Sequence, residues 1–266
     1  MSNLTDKKIP SGLDPWNALR VHTDARIGLG RVGDGLPTQR LLEFQMAHAR
    51  ARDSVHMAFD AGSVRAQLAG LDQTILDIRS AAADRPTYLQ RPDLGRLLDD
   101  GSATTLGKHA GDYDVAFILA DGLSARATHD HAAHTLKLIL DQMDQSWSVA
   151  PITLATQSRV GLGDEIGAAL GAKLTVMLIG ERPGLSSADS LGCYLTWGPR
   201  RGRSNADRNC VSNIRPAGLT PEKAAKKIAY LMTESRKMGL SGVALKDNSA
   251  NPAQIEGQGD SQLAKP

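Results

Sequence analysis

Three short polar stretches carry residues whose types and spacing suit ligand chemistry. They are Asp121-Gly122-Leu123-Ser124, Val160-Gly161-Leu162-Gly163-Asp164-Glu165-Ile166-Gly167, and Gly180-Glu181-Arg182-Pro183-Gly184. Glycine lets a ligand approach the backbone closely, and a helix N-terminus can offer amide donors to it. The second stretch reads equally well as a tight turn. Asp207 to Pro216 adds Cys210 in a dense polar run, but a nucleophilic cysteine needs a base within reach, and no histidine lies nearby in sequence. His129, His131 and His134 suggest a metal cluster. No downstream Cys or His completes a zinc pattern, so a solvated helix start is the expectation. Pro199-Arg200-Arg201-Gly202-Arg203 is a basic run that suits phosphate or acidic side chains, with solvation as the default. Gly28-Leu29-Gly30-Arg31-Val32-Gly33 fits the dinucleotide fingerprint, with Asp53 twenty residues beyond it. That fingerprint needs a strand before it and a helix N-terminus after it. No apolar strand precedes these glycines, so a glycine-rich loop is the expectation.

The elements that must position these turns are legible in the apolar pattern. Asp114 to Ala120, Val149 to Thr156 and Leu174 to Gly180 read as strands, and Ser190 to Trp197 as a fourth. Helical patterns run around Ala132 to Met143, up to Leu170, and from Pro221 to Met238. Upstream, Thr38 to Val55 reads as a helix that Thr38 caps, and Val64 to Ser80 as a second. Arg85 to Gly95 holds two prolines and reads as a rigid connection. Strands alternating with helices predict an α/β fold. The sheet is expected to be parallel and Rossmann-like, with helices on both faces, after an N-terminal helical region. The expected organisation is a loose arm over 1–24, a helical region over 25–110, an α/β domain over 111–246, and a disordered tail over 247–266. In such a sheet the three turns gather at the carboxyl edge of the strands, where ligands bind.

Composition narrows the function classes. The 266 residues carry a formal charge of +2, which makes no electrostatic case for nucleic acid or an anionic membrane. Aromatics are only 4% of the chain, so Leu, Val, Ile and Ala must build the core. Two cysteines, Cys193 and Cys210, form no disulfide framework and are expected to be reduced. No segment approaches the ~20 apolar residues of a membrane span. Met1 to Trp16 has no apolar core of the kind a secretory signal carries.

Several blocks in order resemble the small (light) subunit of ethanolamine ammonia-lyase: Arg26-Ile27-Gly28 to Thr38-Gln39, Tyr88 to Gly95, Asp121 to Ser124, Arg159-Val160, Gly180 to Leu185, and Cys210 to Ile214. The likeness is colinear from about residue 24 to 245. The resemblance implies a subunit that binds adenosylcobalamin together with a large catalytic subunit, for deamination of ethanolamine to acetaldehyde and ammonia. Matched position by position, it places cofactor contacts on Val160, Glu181 and Cys210 and no catalytic residue or metal ligand in this chain. The chain, like the family, lacks the D-x-H-x-x-G motif, which implies that the cofactor keeps its own base on cobalt. Family context favours a bacterial microcompartment, although Met1 to Asn17 shows no apolar stripe suited to entering one. Two competing readings are a nucleotide-dependent oxidoreductase resting on Gly28 to Gly33 and a non-enzymatic α/β scaffold.

Overall fold

The computed structural model describes residues 15–249. Most of the expected arm and tail, at 1–14 and 250–266, lies outside the described residues. Pro15–His22 is a 3₁₀ helix, where a loose arm is expected. The elements that follow are α1 (Thr38–His56), α2 (Ala61–Gln67), β1 (Ile75–Arg79), α3 (Arg85–Gln90), α4 (Asp100–Gly107) and β2 (Tyr113–Ala120). Next come α5 (Ala125–Ala127), a π turn (Thr128–Ala132), α6 (Ala133–Leu140), β3 (Ile152–Thr156), α7 (Leu162–Leu170), β4 (Ala172–Gly180), β5 (Leu191–Trp197), β6 (Arg208–Ile214) and α8 (Pro221–Met238).

The six strands form one sheet in the order β1-β3-β2-β4-β5-β6. The first four are parallel, and β5 and β6 run antiparallel to their neighbours. The fold is therefore α/β with a mixed sheet. Along β2 the side chains alternate between two cores. Val115, Phe117 and Leu119 join the layer that contains α2, α6 and α8, while Ala116, Ile118 and Ala120 join the layer with α4 and α7. Both faces of β2 and β4 are buried, which is why these strands read as continuous apolar runs.

Three expectations are corrected upstream and at the far edge. The second helix stops at Gln67, and Ile75–Arg79 is strand, its alternating side chains in register with β3 from Ile75–Ile152 to Arg79–Thr156. The sheet thus begins upstream of residue 111, inside the region expected to be helical. Pro37, not Thr38, precedes α1, and no side chain caps that helix. The polar run at Cys210 is an edge strand: β6 pairs with β5 and buries Arg208, Val211 and Ile214. Among the described residues no helix is long and apolar enough to cross a membrane.

Candidate functional site

The carboxyl ends of β2, β3 and β4 come together because parallel strands end on the same edge. Asp121 sits where β2 ends and is 2% exposed. It accepts hydrogen bonds from the Gln157 and Ser158 amides at 2.9 and 3.0 Å, and so holds the β3 turn against the β2 turn. Arg85 lies 3.4 Å from the same carboxyl group and donates to the Gly122 carbonyl at 2.9 Å. Burial pushes the Asp121 carboxyl up to about 6, against the pull of the two amides and Arg85. Gly122 (φ +54°) and Gly180 are required where these turns meet: a Cβ on Gly122 would strike the Gly180 carbonyl, and one on Gly180 the Ser124 carbonyl.

Two adjoining cavities open from this edge. The first, about 440 Å³, is lined by Gly122 and Leu123 from the first turn, Ser158 to Val160 from the second, and Gly180 to Arg182 from the third, with Tyr88, Ile179 and Tyr194. The second, about 880 Å³, runs from Asp93 and Arg96 past Arg159 and Val160 to Arg208 and Cys210. Arg159, Val160 and Tyr194 line both. The structure therefore brings the three expected contacts to one continuous groove: Val160 in the shared wall, Glu181 in the first cavity and Cys210 in the second.

Each is held differently. Glu181 accepts from Ser190 Oγ at 2.5 Å, Ser212 Oγ at 2.6 Å and the Asn213 amide at 3.1 Å. Its carboxylate braces the start of the β4–β5 loop against β5 and β6; Arg182 is not among these partners. Val160 sits in a turn closed from within, since Leu162 N donates to Arg159 O at 2.9 Å and Gly163 N to Val160 O at 3.1 Å. The expectation of free amides at that helix start is corrected, because these two are used by the turn itself. Cys210 is exposed and stands directly opposite Tyr194 in the β5–β6 register. Burial pushes the Cys210 thiol up, although the neighbouring Tyr194 hydroxyl pulls the other way. Cys193 points into the opposite core and is fully buried.

Sequence reasoning did not find Tyr88, Arg159, Tyr194 or the Asp164–Arg208 pair. Tyr88 is buried, donates to Ser158 O at 3.0 Å, and carries the guanidinium groups of Arg159 and Arg85 at 4.3 and 4.7 Å from its ring centre. Arg159 also donates to Tyr88 O at 3.1 Å. The advance signals were that Tyr88 and Arg159 lie in blocks that carry the family likeness, and that Asp164 and Arg208 lie in the polar stretches already singled out. In the basic run, Arg201 meets Glu165, and Arg203 donates to the Trp197 and Gly198 carbonyls. Arg203 is therefore largely spent within the fold, while the Arg201 side chain stays 76% exposed.

The other candidates do not converge. His129 stacks on Phe59 and its Nε2 accepts from the Asp60 amide at 2.9 Å, His131 approaches Asp189 at 3.5 Å, and His134 approaches Glu222 at 3.7 Å. Among the described residues no group of three or more His, Cys, Asp or Glu could hold a metal ion. Gly28, Gly30 and Gly33 take left-handed backbone angles in a loop closed by the Val32–Gly35 bridge. No strand precedes them among the described residues, α1 begins only at Thr38, and Asp53 lies inside that helix.

The family model for ethanolamine ammonia-lyase light chain (EutC) matches residues 13–246. The ethanolamine ammonia-lyase small subunit of Pseudomonas syringae pv. tomato is 50% identical over 254 residues, covering 94% of this chain and 88% of the relative. The small subunit of Azotobacter vinelandii is 52% identical over 257 residues, 94% of each chain. That of Ralstonia nicotianae is 52% identical over 244 residues, 90% of each. A family match over most of the chain, together with relatives of this identity and coverage, shows that the chain belongs to the ethanolamine ammonia-lyase light chain family.

Proposed function

We propose that this chain is the small subunit of an adenosylcobalamin-dependent ethanolamine ammonia-lyase, and that its joined cavities hold one side of the cofactor while a large subunit covers the other and carries the substrate. The observation that carries the reading is the placement of Val160, Glu181 and Cys210 along one groove at the carboxyl edge of the sheet. When bound, the cofactor supplies radical chemistry by homolysis of its cobalt–carbon bond.

The residues present fit a corrinoid in type. Its rim carries amides, which need both donors and acceptors. The groove offers acceptors in Glu181 and the Ser158 region and donors in Arg159, Tyr194 and Cys210. Both oxygens of Glu181 are already bonded within the fold, so the carboxylate is held in place, and each oxygen keeps lone-pair capacity for an amide N–H. Val160 gives an apolar contact in the shared wall. The role of this chain is to bind and orient the cofactor and to exclude water from its covered side.

The test is reconstitution. The large subunit, this chain and adenosylcobalamin are mixed in all combinations, and ammonia release from ethanolamine is measured. Turnover should require all three. Full activity of the large subunit without this chain, or turnover by this chain without the large subunit, overturns the reading.

A further inference from the structure

Ten of the fourteen large hydrophobic side chains exposed among the described residues lie between Trp16 and Met46. Helix α1 is 19 residues long yet buries only Ala51 and Ser54. Leu41, Leu42, Phe44 and Met46 are 41–58% exposed on its first half. Large apolar side chains scattered singly over a surface are ordinary, but their concentration in one segment marks an interaction site.

This surface is shaped as well as apolar. Between α1 and residues 185–189 runs a groove of about 740 Å³, with Leu42, Met46 and Leu185 along it and Arg26, Arg50, Arg126 and Arg215 around it. The groove continues into the candidate cofactor edge through bonded side chains. Arg26 donates to Leu185 O at 3.4 Å, Arg215 donates to Asn213 at 2.9 Å, and the Asn213 amide donates to Glu181. A protein that closes over the Glu181 edge therefore meets α1 without a break.

We propose that α1 and this groove are the docking surface for the large subunit, which lays an apolar segment flanked by carboxylates along Leu42, Met46 and Leu185. The proposal rests on the partnership proposed above and adds where the partner sits. Continuity favours this occupant over a second copy of the chain: a partner that closes over the Glu181 edge reaches the groove through Asn213 and Arg215. The 14 residues before Pro15 include Lys7, Lys8, Pro10 and Gly12 and hold no apolar run to fill the groove.

The test uses the full chain co-expressed with the large subunit, comparing wild type with the double variant Leu42→Glu/Met46→Glu. Both positions are exposed, so the variant should keep the wild-type circular dichroism and melting midpoint while its affinity for the large subunit falls at least tenfold. Hydrogen exchange on the wild-type pair supplies an independent measure: amides of residues 38–50 should be slower in the complex than in the free chain. A complex of wild-type affinity formed by the folded double variant, or unchanged exchange over 38–50, overturns the surface alone. Failure of the wild-type chain to bind the large subunit overturns the partnership and the surface together. A concentration-dependent dimer of the chain alone that the double variant abolishes assigns the surface to a second copy and overturns the proposal.

Discussion

Arg208 donates to both carboxylate oxygens of Asp164, at 2.6 and 2.7 Å, and both side chains are about 95% buried. This pair ties edge strand β6, which carries Cys210, to helix α7, which begins beside Val160. Arg208 also donates to Thr196 Oγ1 and to Arg203 O, so the guanidinium fixes the far wall of the larger cavity. Removing the acid leaves a buried cation without its counter-charge. Asp164→Ala should therefore lower the unfolding free energy by about 3–5 kcal/mol. Urea denaturation measures this; a loss under 1 kcal/mol would show that water replaces the carboxylate and that the pair does not hold the wall.

Gly180 and Gly122 are where the turns of β2 and β4 touch. A Cβ at Gly180 would overlap Ser124 O and lie 2.6 Å from Asp121 O. Gly180→Ala should cost about 1–3 kcal/mol, because the neighbouring atoms are backbone and cannot rotate away. A thermal melt of the purified variant at wild-type stability would mean that the turns have room the geometry denies.

Asp121 gives a pH signature. Its folded carboxyl titrates near 6 against an ordinary 3.8. Between those values the folded state holds a proton that the unfolded chain has released, so this group's contribution to stability falls as pH rises from about 4 to about 6. Two units correspond to about 3 kcal/mol. Asp121→Asn removes the titration. The melting temperature of wild type minus variant should be larger at pH 4 than at pH 7. A difference that is flat or larger at pH 7 would show that the Gln157 and Ser158 amides and Arg85 hold the carboxylate ionised despite its burial.

The two thiols should separate cleanly by reactivity. Cys193 is buried and Cys210 exposed, but burial of its surroundings raises the Cys210 thiol. Iodoacetamide at pH 8 should modify Cys210 alone, and slowly compared with a free peptide thiol. Adenosylcobalamin bound to the two-subunit complex should protect it. Peptide mass spectrometry reads both effects; equal labelling with and without cofactor, in an assembled complex, removes Cys210 from the site.

Burial explains which elements the sequence reveals. Strands β2 and β4 are covered on both faces, so their residues are apolar almost without interruption and the strands are legible. Strand β6 is an edge strand with Cys210, Ser212 and Asn213 exposed and Asn209 bonded to the Gly242 and Leu245 backbone, and its composition reads as loop. Strand β1 spans only five residues, too few to distinguish alternation from the end of a helical pattern. The turns at the candidate site were legible because glycine and charge punctuate strand ends. What Glu181 does was not, since Ser190, Ser212 and Asn213 lie 9–32 residues away and are brought to it by the antiparallel return of β5 and β6. The family likeness named Val160, Glu181 and Cys210, and only the fold shows that Arg159 and Tyr194 join them into one groove.

The most direct measurement is an adenosylcobalamin titration of the two-subunit complex, wild type against Glu181→Ala, with assembly verified by size-exclusion chromatography. The carboxylate stands at the groove and is oriented by three donors, so a cofactor amide that meets it forms a charge-assisted bond worth about 1.5–3 kcal/mol. The dissociation constant should rise roughly ten- to a hundredfold in an intact complex. A dissociation constant within about threefold of wild type, where ordinary surface substitutions fall, would leave Glu181 as a brace between strands and contradict the placement of the cofactor at this edge.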